Sequence, residues 1–215
     1  MELEAARRSV LEVVQEMDRV GLTEGSAGNV SMRTRAGEIV LTPTAMAYGE
    51  MTTKDLVVTD EAGRVAPGQQ TPTTEIGLHL ACLNRHHDIA GVVHTHPIHA
   101  SMFAINHQPI PCVLEEFEFS IGGDVRVAPY FPTGSQELGH AVAELLGDRA
   151  AALMSNHGLV VVGSSATDAL HLTKLVERAA AIVWGAITMG EPRPLPEENR
   201  RIFRSQYLER RSQCS

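Results

Sequence analysis

The sequence predicts an α/β domain with a mixed, largely antiparallel β-sheet and helices on its flanks. Three observations lead there. Long stretches at both ends carry apolar residues at helical spacing. The β-rich runs are short and come in neighbouring pairs joined by turn residues, NVSMR with EIVLT and AAALM with GLVVVG. No repeat, low-complexity stretch or linker divides the chain, so residues 1–215 are expected to form a single domain with a substantial core.

Taken in order, Leu3, Ala6, Val10, Val13, Val14, Met17 and Val20 predict an amphipathic helix that stops near Gly21. NVSMR and EIVLT read as two strands turning at Arg35-Ala36-Gly37, and DLVVTD with RV as a further hairpin. Thr73 or Thr74 caps a helix with Glu75 in its first turn, which runs through Ile76, Leu78, Leu80 and Leu83 to about His86. IAGVVHTH is a strand, and a helix follows Pro97. DVRVAPY is a strand, and SQELGHAVAELL is a helix with Ser135 as its cap. AAALMSNHGLVVVG holds two β-rich runs broken at Ser155-Asn156-His157-Gly158. A long helix spans roughly Ala166 to Met189. Pro192, Pro194 and Pro196 interrupt the chain before a polar, Arg-rich helix. IPCVLEEFEFSIGG carries no clear period and is left without an assignment.

Composition excludes some partners. The formal net charge is −8, which argues against nucleic acid, whose binding needs a basic face. A small anionic substrate stays open, because a site can be locally positive. Cys82, Cys112 and Cys214 are far apart and form no CxxC pair, so neither a disulfide framework nor a cysteine zinc site is expected. A reducing, cytoplasmic location is the simplest expectation. The amphipathic start lacks the apolar run of a signal peptide, and no stretch approaches the length of a membrane span. The GxGxxG and GxxxxGK[ST] nucleotide loops are both missing.

The stretch GVVHTHP carries the clearest chemical signal. On an extended strand, residues i and i+2 share a face, so His94 and His96 project together. Catalytic zinc usually takes three protein ligands and keeps one position open. His157, at the break in LMSNHGLVV, is the third candidate, and Glu75 the fourth. Spacing alone leaves open whether these bind metal or are polar residues at a strand end. His86 and His87 read as helix-terminus residues. His99, His107, His140 and His171 have no comparable partner and read as structural.

Together, GLTEGSAGNVSMR, IVLTPTA, TPTTEIGLHLA, VVHTHP and SNHGLVVVG resemble the serial motifs of the class II aldolase/adducin family, nearest to its L-fuculose-1-phosphate aldolase branch. The resemblance covers nearly the whole chain. It implies a three-layer fold with a central, mainly antiparallel sheet, and a homotetramer with active sites between subunits. It implies that His94, His96 and His157 bind a divalent metal, most often zinc, although manganese, cobalt or iron would suit the same ligands. Glu75 matches the family's acid/base carboxylate, which also approaches the metal. Gly28 and Asn29 match the loop that holds a substrate phosphate, and Thr44, Thr73 and Thr74 the hydroxyls around it. Small residues, hydroxyls and a helix start are what a phosphate needs. Each motif alone would be only a turn or a cap.

The implied activity is metal-dependent, reversible cleavage of a ketose or deoxyketose 1-phosphate to dihydroxyacetone phosphate and a short aldehyde. A lysine Schiff base has little support, since Lys54 and Lys174 are the only lysines and neither sits in a motif. The aldehyde half needs a second acid/base group. The best-known branch carries a tyrosine before the Gly pair; this chain offers Glu115, Glu116 and Glu118, of which Glu116 is the first choice. Ala45 also replaces a frequent glycine after TPT. Tyr207 or an arginine of the last helix would reach substrate if that helix closed over the site, but a solvent-facing or subunit-packing tail is the simpler reading. Alternatives are another lyase or isomerase of the family (a sugar-phosphate 4-epimerase, decarboxylase or dehydratase) and, less favoured, a non-catalytic adducin-like assembly module.

Overall fold

A computed structural model describes residues 1–213; Cys214 lies outside the described residues. Along the chain run α1 (Leu3–Arg19), β1 (Asn29–Arg33), β2 (Ile39–Leu41), β3 (Val57–Thr59), α2 (Ile76–Arg85), β4 (Gly91–Thr95), α3 (Ile98–Ile105), α4 (Glu115–Ile121), β5 (Arg126–Ala128), α5 (Gln136–Leu146), β6 (Ala151–Met154), β7 (Gly158–Gly163), α6 (Ala166–Met189) and α7 (Glu197–Ser212). The strands form one seven-stranded sheet in the order β3-β2-β1-β4-β7-β6-β5. Every pairing is antiparallel except β5 with β6.

Alternation along the strands sorts the core into layers. Val92, Val160 and Val162 pack with Leu78, Cys82 and Leu83 of α2 and with Val142 and Leu146 of α5. Val30, Val40 and Val93 point the other way, against Val10, Val14 and Met17 of α1. Val161 meets Val176, Ala180 and Val183 of α6. Because β4 and β7 are covered on both faces, every residue of both is buried and β7 carries no polar side chain. Each fully buried Val or Leu contributes about 1.5–3 kcal/mol, so a charged residue at Val93 or Val161 would break the layer.

Two helices, α5 and α6, begin at a side-chain cap. The Ser135 side chain accepts from the Leu138 N–H at 3.3 Å, and Ser165 accepts from the Asp168 N–H at 3.0 Å. The structure departs from the sequence reading in four places. α2 begins at Ile76, so Glu75 holds the position before the first turn and its side chain does not cap. Thr73 Oγ1 instead accepts from the Glu75 N–H at 3.3 Å, and Thr74 is exposed. The hairpin after β3 reduces to a single bridge, Thr59 with Val65. The unassigned stretch contains α4, two turns closed by Gly122 in the left-handed region (φ 82°). Finally, α7 does not extend into solvent along its whole length. Arg200 Nε donates to Glu118 Oε2 at 3.1 Å, Arg204 donates to the Gly122 carbonyl, and Arg211 pairs with Asp88. Tyr207 is only 3 % exposed and donates to the Asp148 carbonyl at 2.8 Å.

Candidate metal centre

His94 lies on the central strand β4, opposite Asn29 of β1 on one side and Val160 of β7 on the other. Its Nδ1–H donates to the Leu159 carbonyl at 3.0 Å. That bond fixes the tautomer and turns the Nε2 lone pair outward, the arrangement a metal-ligating imidazole needs. His96 stands one residue past the end of β4, where its N–H donates to the Leu22 carbonyl at 3.1 Å. Its Nε2 lies 3.0 Å from His94 Nε2.

His157 comes from the β6–β7 turn. Asn156 enters the left-handed region there (φ 56°), which asparagine tolerates better than most residues. Gly158 follows because nothing larger fits: a Cβ at that position would lie 2.5 Å from the Thr95 carbonyl oxygen and 2.7 Å from the His96 ring. The ring centroids of His157 are 4.8 Å from His94 and 5.1 Å from His96. One nitrogen from each of the three rings falls within 4.8 Å of the others. Bonds of 2.0–2.1 Å at tetrahedral angles place two nitrogens about 3.3 Å apart, so the His94–His96 spacing is close to what one ion requires.

Glu75 lies against two of the three rings. Its Oε2 lies 3.2 Å from His94 Nε2, and its Oε1 3.6 Å from His157 Nε2. Oε1 is buried and has no hydrogen-bond partner. A buried carboxylate oxygen without a donor is costly unless a ligand meets it. Burial pushes the Glu75 carboxyl upward, but His94, the Asn29 amide and His157 outweigh burial and hold it well below the usual carboxylate range. Burial, reinforced by the neighbouring His94 and His157, pushes His96 down to about 4. Burial likewise lowers His157. The His96 ring is therefore neutral near pH 7, as a metal ligand must be. The residues fit a divalent cation.

The motif loops converge on the same end of the sheet. Gly28 has φ 77°, and a Cβ there would come within 2.6 Å of the His94 carbonyl oxygen, so the SAGN turn abuts β4 directly. Thr42 N–H donates to Val30 at 3.1 Å, Thr44 N–H to Thr71 at 3.0 Å, and Thr73 N–H to Thr42 at 3.1 Å. Gly28, Asn29, Thr44, Thr73 and Thr74 thus border one region, with the Thr44 and Thr74 side chains exposed. The sequence reading missed two residues here. Tyr48 donates to the Gly28 carbonyl at 2.6 Å and braces the turn. His79 is fully buried and bonds Asn29; its place four residues after Glu75, on the same helical face, was the available signal.

Other candidates fall elsewhere. Glu116 is half exposed and pairs with Arg178 of α6, Glu115 is exposed, and Glu118 is buried against Arg200. Lys54 is exposed, and Lys174 pairs with Glu16 at 2.6 Å. His86 Nε2 bonds the Ala143 carbonyl at 2.8 Å, and His99 bonds Glu177 at 2.7 Å.

Residues 8–184 match the Class II Aldolase and Adducin N-terminal domain. The chain belongs to this family. Class II aldolases are metal-dependent, and the His94, His96 and His157 group is one that could hold the ion. Among similar proteins is the 5-deoxy-D-ribulose 1-phosphate aldolase of Bacillus thuringiensis, 32% identical over 199 residues, 92% of this chain and 93% of that one. The L-fuculose phosphate aldolase of Escherichia coli is 32% identical over 195 residues, covering 91% and 90%. A solved L-fuculose 1-phosphate aldolase structure superposes with a TM-score of 0.90 at 28% identity, covering 94% of this chain and 96% of that one. The three-layer class II aldolase fold is thereby shared.

Proposed function

We propose that this chain is an aldehyde-lyase that reversibly cleaves a ketose or deoxyketose 1-phosphate, of the L-fuculose 1-phosphate type, to dihydroxyacetone phosphate and a short aldehyde. The observation that carries the reading is the buried Glu75 carboxylate, with one oxygen lacking a hydrogen-bond partner, set against three converging imidazoles. The names of the similar aldolases support the substrate class.

His94, His96 and His157 would hold the cation, zinc by the chemistry of its donors, with Glu75 alongside. When bound, it supplies Lewis-acid stabilisation of the negative charge that cleavage leaves beside a carbonyl. The protein's own part is positioning and proton transfer. Gly28, Asn29, Thr44, Thr73 and Thr74 offer backbone N–H groups, an amide and hydroxyls to the phosphate. In the direction of synthesis, Glu75 takes the proton from the carbon of dihydroxyacetone phosphate that forms the new bond; in cleavage it returns it. Glu116 is assigned the hydroxyl proton of the aldehyde half, reaching the site of a neighbouring copy in a homotetramer. Its exposure on α4 supports it over Glu118, whose carboxylate Arg200 already occupies. The whole chain is read as one cytoplasmic domain, with α7 strapped onto the matched region.

The decisive experiment incubates metal-loaded protein with L-fuculose, D-ribulose and 5-deoxy-D-ribulose 1-phosphates and measures dihydroxyacetone phosphate. Release from at least one is expected. No release from any overturns the aldolase reading, and a rearranged, decarboxylated or dehydrated product would move the chain to a sister reaction. Protein purified without metal and indifferent to chelators would point to the assembly module. Glu116→Gln separates its two roles: a loss of about a hundredfold in kcat is expected if it moves a proton, and none if it only pairs with Arg178.

A further inference from the structure

We propose that His79 is a positioning residue for Glu75, acting through Asn29 as a neutral imidazole that carries its proton on Nε2. The inference rests on the reading of Glu75 as the acid/base group. It follows from the direction in which a buried chain of hydrogen bonds must run. Asn29 Nδ2 lies 2.9 Å from Glu75 Oε2. The amide nitrogen is the donor in this bond, so it faces Glu75 and the amide oxygen faces away. That oxygen lies 2.5 Å from His79 Nε2. Since the oxygen only accepts, Nε2 must bear the hydrogen. Nδ1 is then a lone pair, and the Ser31 hydroxyl, 2.7 Å from it, donates. One run of donors thus leads from Ser31 through His79 and Asn29 to Glu75.

The scaffold explains why these four meet. Asn29 and Ser31 are two apart on β1 and share a face. Glu75 and His79 are four apart at the start of α2 and share another. Where the two faces touch, each residue of one pair bonds a residue of the other. All four are buried, and His79 and Ser31 are wholly so. Reversing the amide would set its oxygen against the Glu75 carboxylate and its NH2 against the Nε2–H of His79. His79 therefore locks the Asn29 rotamer, and Asn29 locks Glu75 with its partnerless Oε1 toward the imidazoles. One amide hydrogen of Asn29 remains for a ligand.

The test pairs spectroscopy with kinetics. Nitrogen-15 spectra of histidine-labelled, metal-loaded protein, with His79 identified by its loss in His79→Gln, should show Nε2 protonated and Nδ1 bare. Protonation on Nδ1, or on both nitrogens, overturns the proposal whether or not the protein proves to be an aldolase. In kinetics, His79→Leu should lower kcat by about tenfold to a hundredfold with KM changed by less than about threefold, as for lost outer partners of a site. His79→Gln, which can still donate from its amide, should recover most of that loss. Equal kcat losses in both, or stability losses with kcat intact, would reduce His79 to packing and overturn it. Ser31→Ala provides the same reading should His79→Leu not fold: a smaller fall in kcat is expected, and no fall counts against the relay. Failure to cleave any sugar phosphate sinks the aldolase reading instead, and leaves the tautomer to decide this one.

Discussion

Two glutamates are buried among the described residues, Glu75 at 5 % exposure and Glu118 at 3 %. They are opposites in company. Glu118, on α4, faces Arg200 of α7 at 3.1 Å, so its charge is matched within the chain. Glu75 meets no lysine or arginine; it has an amide and two imidazoles, and one oxygen receives no hydrogen bond. A buried charge needs pairing. Glu118 therefore fastens two helices together, while Glu75 has no lysine or arginine of the described chain to match it. Burial alone does not distinguish a structural carboxylate from a functional one; the identity of its partners does.

The contrast can be broken most severely at the imidazoles. His96→Ala should lose bound metal and, with it, more than about 10^4-fold in kcat/KM, because the charge stabilisation at stake is several kcal/mol. Elemental analysis beside kinetics checks this, and full metal occupancy would contradict the ligand set. Glu75→Gln should keep the metal yet lower kcat by about 10^2–10^4-fold, since an amide neither takes nor returns a proton. Unchanged turnover would remove Glu75 from that role. At the other end, Arg200→Ala should leave metal content untouched and lower unfolding stability by about 2 kcal/mol, because a charged hydrogen bond is lost and Glu118 stays buried without its cation. Adding Glu118→Gln should return part of that loss in denaturant titrations; no recovery would mean the charge was not the cause. The smallest effect belongs to Ala45, whose φ of 55° is one that favours glycine. Ala45→Gly should raise stability by up to about 1 kcal/mol, and a lower denaturation midpoint would refute the strain.

The meeting of the three imidazoles was legible because part of its spacing is a strand property. His94 and His96 differ by two, and Asn-His-Gly interrupts two apolar runs that had to pair. The long helix α6 and the Ser135 cap were legible for similar local reasons. Glu75 was visible as a candidate, but its exact position depended on where α2 starts, and the helix begins one residue after it. His79 was obscured by its setting, a polar residue inside an apolar helix whose partners lie 48 and 50 residues away. The choice among Glu115, Glu116 and Glu118 depended on the phase of a seven-residue helix with no side-chain cap, and on arginines from α6 and α7. Neither is written locally.

The floor beneath the three rings is built from β1, β4 and β7, adjacent strands of one continuous ladder. Such a floor has no hinge. Prising it apart would rupture rows of backbone bonds at once, so these strands yield only when the whole sheet does.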